Sequence, residues 1–71
     1  MTFKFTIEHE GRTYECERIV EGKRVLYQTV VVVGVGSKED PASYGQRGHP
    51  AESMAGVACL IADEILREKS R

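Results

Sequence analysis

Cysteine is scarce in this sequence of 71 residues, with Cys16 and Cys59 the only two, far below the density of a disulfide scaffold. No pair among Cys16, Cys59, His9 and His49 has the C-x2-C or H-x3-H spacing that presents two metal ligands from one turn. Neither a metal nor a cofactor is therefore expected. An excess of one charge is missing too. Ten Lys plus Arg stand against eleven Asp plus Glu, a net charge of −1, which speaks against an electrostatically driven nucleic-acid or membrane binder. There is no apolar run of about 18 residues to cross a membrane. The charged opening MTFKFTIEHEGRTYECERIV also lacks the apolar region of a secretory signal. The expected compartment is the cytoplasm, where both thiols stay reduced.

What is present is a globular composition, 41% hydrophobic and 30% charged, without repeats or low-complexity tracts, read as one domain over 1–71. At this size a single core supplies about 3–5 kcal/mol, so small domains usually need a staple. With disulfide and metal set aside, a partner chain becomes the leading candidate.

Residues 2–8 alternate, with Phe3, Phe5 and Ile7 against Thr2, Lys4, Thr6 and Glu8, which predicts a half-buried strand. A second strand, Arg12 to Val20, follows the turn signal Glu10-Gly11. A two-residue turn pairs residues whose numbers sum to 21. Ile7 then faces Tyr14 and Phe5 faces Cys16, while Lys4 meets Glu17 and Thr6 meets Glu15 on the other side. Like meets like and opposite charges meet, as cross-strand pairing favours.

After Glu21-Gly22-Lys23 comes a third strand within Arg24 to Val35, about ten or eleven residues long against a typical five or six. A two-residue loop at 21–22 or 22–23 places Val25, Tyr27, Thr29, Val31 and Val33 on the side of Tyr14 and Cys16. Leu26, Gln28, Val30 and Val32 take the opposite side. In a three-stranded meander this strand is a sheet edge, and a long apolar edge invites pairing. A homodimer joining two third strands about a two-fold axis is the expected solution, with Leu26, Gln28, Val30 and Val32 at its interface. The alternative is that residues 37–49 fold back over the edge.

Gly34 and Gly36 end the strand, and SKEDPASYGQRGH (37–49) reads as a loop, long enough to be functional or disordered. The last element starts at Pro50, suited to a first helical position, with Glu52 near the positive end of the dipole. Ala51, Met54, Val57, Ala58, Ile61, Ala62 and Ile65 form one apolar stripe, the face that packs on the sheet, and Cys59, Leu60 and Leu66 lie off its flanks. The fold class is α+β: a three-stranded antiparallel meander with one C-terminal helix on one face.

Catalytic chemistry finds little support. Glu15 and Glu17 share a strand face, as residues of any solvated face do. Ser43 and Ser53 lack a nucleophile elbow and an activating base. Gly34-Val35-Gly36 follows a strand, but Glu39 stands at the third glycine position of a dinucleotide fingerprint and no helix opens there. An enzyme is not expected. The residues best suited to recognition lie in the loop: Tyr44, Gln46, Arg47 and His49 combine a ring, an amide, a guanidinium and an imidazole able to stack on a base or grip an anion.

The order β-β-β-α resembles the last four elements of a double-stranded-RNA-binding domain, and a family of small bacterial proteins of unknown function with that fold. The residues concerned are Ile7-Glu8-His9-Glu10-Gly11-Arg12-Thr13 at the first hairpin and Val33-Gly34-Val35-Gly36. Asp40-Pro41-Ala42 and the helix through Ala55, Ala58 and Leu60 complete the set, about half of the chain. The resemblance implies lysines at the start of the last helix, where that domain grips phosphates. Here Pro50-Ala51-Glu52-Ser53 offers a carboxylate instead, so RNA binding does not follow. The leading expectation is a non-catalytic, self-associating interaction module. The alternative is a nucleic-acid or ribosome-associated domain using 37–49, and a third possibility is a ligand site formed only between subunits.

Overall fold

The computed structural model describes residues 1–45 and 50–69. An antiparallel sheet is built from β1 (Thr2–His9), β2 (Arg12–Gly22), β3 (Val25–Val32), β4 (Gly36–Glu39) and β5 (Tyr44–Gly45). A single 3-10 turn, Ala51–Ser53, then opens the helix α1 (Met54–Lys69). The strand order is β1-β2-β3-β4, with β5 pairing β3 beyond the end of β4. The class is α+β, a meander followed by a helix on one sheet face, and it has more than the three strands expected.

The first hairpin has the predicted register. Lys4 faces Glu17, Phe5 faces Cys16 and Ile7 faces Tyr14. Glu10 and Gly11 carry φ of 51° and 78°, the paired positive values of a turn whose twist suits a two-residue hairpin.

The second hairpin departs from expectation by one residue. Gly22 pairs with Leu26 and Cys16 with Val32, so three residues, 23–25, lie between the paired ends. An odd loop length inverts the facing parity of everything that follows. Gly22 makes this turn at φ 107°, where an added Cβ would stand 2.1 Å from the Val25 carbonyl oxygen. Leu26, Gln28, Val30 and Val32 therefore face the helix, and the row Val25, Tyr27, Thr29, Val31 faces away. Val30 and Val32 have no solvent exposure and Gln28 only 3%, so these positions are core rather than an outer interface.

Nor is β3 an edge. Val30 pairs with Lys38, Thr29 with Glu39, and Leu26 with Tyr44. The segment expected to be a loop supplies two short strands that cover the far side of β3, the fold-back alternative. The outer strands are now β1, eight residues long, on one side and β4, four, with β5, two, on the other.

Met54, Ala58, Ile61, Ala62 and Ile65 of the stripe are buried, Val57 is half-buried and Ala51 is exposed. Leu66, placed on the flank from sequence, is also buried, 5% exposed. Ala58, Ile61, Ala62, Ile65 and Leu66 pack on Cys16, Val30 and Val32, with Phe5, Ile7, Tyr14 and Val57 around them. Polar ties hold the helix across the sheet. His9 Nδ1 lies 2.9 Å from Asp63 on the β1 side, and the Lys38 ammonium bonds Glu68 at 2.8 Å and Glu64 at 3.3 Å on the β4 side.

Candidate functional site

One helix covers one face of the sheet, and the other face is open. Cross-strand register places Glu15 beside Val33, Glu17 beside Val31, Ile19 beside Thr29 and Glu21 beside Tyr27. On the far side of β3, Val31 adjoins Ser37 and Thr29 adjoins Glu39. The result is an apolar row along β3, with Tyr27 at 56% and Val33 at 50% exposure, bordered by carboxylates from β2 and β4. Lys4, Thr6 and Glu8 of β1 complete the face.

The charge on this face is one-sided. Glu8, Glu15, Glu17, Glu21 and Glu39 oppose the single ammonium of Lys4. Among the described residues, five carboxylates against one ammonium give −4 on this face, while the other described residues carry seven Lys or Arg against six Asp or Glu, +1. The near-neutral composition conceals one acidic face. Two open depressions lie on the face. One, of about 520 Å³, is bordered by Lys4, Thr6, Glu15, Glu17 and Val33; the other, of about 370 Å³, by Ile19, Glu21, Tyr27, Thr29 and Glu39. Both are open to solvent rather than enclosed.

No protein-family model matches the chain, and no curated protein or solved structure shows significant similarity to it. The geometry of its own residues therefore carries the functional argument.

The recognition residues picked from sequence fall in two places. Arg47 and His49, with Gln46, lie outside the described residues. Tyr44 is fully buried, not presented to solvent as a stacking platform. Its hydroxyl donates to the Asp40 carboxylate, which also accepts from Gln28 Nε2 at 2.8 Å and from the Ala42 N–H at 2.9 Å. Burial of the phenol, followed by the bond to Asp40 and its charge, pushes the Tyr44 pKa from 10.0 up to about 12. Asp40-Pro41-Ala42 forms a side-chain-capped turn, and the cluster fastens β4 and β5 to β3. Its role is architectural.

Both cysteines are free, Cys16 buried and Cys59 exposed. Among the described residues no group of three His, Cys, Asp or Glu side chains is placed to hold a metal, and no helix is long and apolar enough to cross a membrane.

The sequence places Tyr27, Val31 and Val33 on the side of Tyr14 and Cys16 and reads Glu15 and Glu17 as an ordinary solvated face, so neither set is marked as a binding surface. The charge-pairing test that set the first register cannot be applied to the second, because Val25 to Val33 contains no charged residue. Only the length of the turn at Gly22 decides which row is presented.

Proposed function

We propose that this protein is a non-catalytic interaction module whose open sheet face receives a basic protein segment with apolar residues at its centre. The observation that carries this reading is the apolar row of β3 between the carboxylates of Glu15, Glu17 and Glu21 and that of Glu39. A soluble domain seldom leaves a large apolar strip uncovered without a use for it. The flanking charge specifies Lys or Arg on the partner, since like charges brought together oppose association. A second copy laid face to face would press five carboxylates against five, so it is the wrong occupant for this surface. Phosphate contacts require cations, and a nucleic acid would meet the same acidic border.

The test is a titration followed by backbone NMR, using a peptide that alternates Lys with Val, its Glu-for-Lys counterpart, and single-stranded RNA. The basic peptide is expected to shift Ile19, Tyr27 and Val31 selectively. Glu17→Lys combined with Glu21→Lys is expected to weaken it roughly tenfold or more. Equal binding of the acidic peptide, or shifts confined to the helix side, would overturn the proposal. Salt-sensitive RNA binding would favour the nucleic-acid reading instead.

A further inference from the structure

The outer edge of β1 is the long unpartnered strand edge among the described residues, and its hydrogen-bonding pattern can be assigned. Val20 N–H donates to the Met1 carbonyl at 2.7 Å, and the Met1 amino group donates to the Val20 carbonyl at 3.0 Å. Such doubly bonded pairs recur at every second residue of an antiparallel ladder. Phe3, Phe5, Ile7 and His9 therefore direct their main-chain groups to β2. Thr2, Lys4, Thr6 and Glu8 direct theirs outward, and all four residues are exposed.

We infer that β1 pairs antiparallel with β1 of a second copy about a two-fold axis through Thr6. Two-fold symmetry with both helices on one side requires each residue to pair with one of the same parity, because side chains alternate faces. The register in which residue numbers sum to 12 meets this condition and matches chemistry. Thr6 faces its own copy, and Lys4 faces Glu8 of the partner subunit, twice by symmetry. Phe5 meets Ile7 of the partner subunit on the helix side. The pairs at 4, 6 and 8 each exchange two main-chain bonds, since those residues carry the outward groups. A shift to a sum of 8 sets Lys4 against Lys4 of the partner subunit, and a sum of 10 leaves Lys4 opposite threonine. Of these registers only the sum of 12 unites opposite charges, and it keeps Phe3 to His9 paired.

The occupant is thus a second copy, because the strand is complementary to itself. Lys4 at the middle of an edge also serves, in a lone protomer, to discourage indiscriminate pairing. Its neutralisation by Glu8 selects one partner and one register. Dimerisation joins the two sheets into one and places the two open faces side by side, with Lys4, Thr6 and Glu8 at the seam where the two faces meet.

Sedimentation velocity across a wide protein concentration range, with amide hydrogen exchange by NMR, tests this. A reversible dimer is expected, in which the Lys4, Thr6 and Glu8 amides become protected as concentration rises while Phe3, Phe5 and Ile7 are protected throughout. Lys4→Glu is expected to weaken association roughly tenfold or more, and Lys4→Glu with Glu8→Lys to restore it. Circular dichroism confirms that these surface variants fold. A monomer at every concentration would overturn the inference. So would a dimer that ignores the charge reversal, or one whose three outward amides stay unprotected.

Discussion

Gln28 donates through Nε2 to Asp40 at 2.8 Å, and the same nitrogen donates to the Met54 carbonyl at 3.0 Å. One amide thereby ties the middle of β3 to the turn after β4 and to the first turn of α1. Residues remote in sequence are held in one buried cluster, and the elements that would otherwise be loose become part of the fold.

Adjacent valines test the face assignment. Val30 has no solvent exposure, and Val31 is half-buried on the open face. Val30→Ala is expected to cost about 1.5–3 kcal/mol, the range for a fully buried valine side chain. Val31→Ala should cost clearly less than half of that. Urea denaturation midpoints of the two variants decide, and equal losses would mean that the register is displaced.

Tyr44 gives stability a pH dependence. Its pKa rises from 10.0 to about 12 on folding, so the folded state favours the protonated phenol. That contribution is complete below pH 10 and is lost as pH climbs toward about 12. Tyr44→Phe removes the donor to Asp40 and should cost roughly 1.5–3 kcal/mol at neutral pH. The part of the alkaline loss due to Tyr44 should vanish in this variant, as followed by denaturation midpoints and tyrosinate absorbance.

Gly22 sets the parity of β3. At φ 107°, with the Val25 carbonyl oxygen 2.1 Å from any added Cβ, alanine can enter only by moving backbone. Gly22→Ala is expected to destabilise by at least about 1 kcal/mol. A thermal melt unchanged from the parent would show that the turn tolerates a side chain.

The two thiols should differ in reactivity. Burial, and secondarily the nearby Cys59 charge, raises the Cys16 pKa, and a raised pKa means less of the reactive thiolate. Cys59 is exposed. A thiol reagent at neutral pH should label Cys59 rapidly and Cys16 only in denaturant. Mass spectrometry of the labelled peptides checks the order, and prompt labelling of Cys16 would contradict its burial.

Local chemistry in the sequence determined the first hairpin, the helix and the absence of a disulfide framework. Alternation over residues 2–8, two residues able to hold positive φ at 10–11, and charges that pair across the turn leave little freedom there. Helical periodicity marked the buried stripe with the same economy, except that Ala51 is exposed and Leu66, at its margin, is buried. The strand pairs at 36–39 and 44–45 were not legible. Four and two residues are too short for a period to emerge, and Ser37, Lys38 and Glu39 are polar as an outer strand's side chains can be. Tyr44 read as a surface ring because its neighbours are polar, yet the Asp40 turn carries it into the core. The open face was decided at the tertiary level. One extra loop residue after Gly22, beside an uncharged run of valines, selects which row meets the helix, and pairing with β2 and β4 then assembles carboxylates that are scattered along the chain.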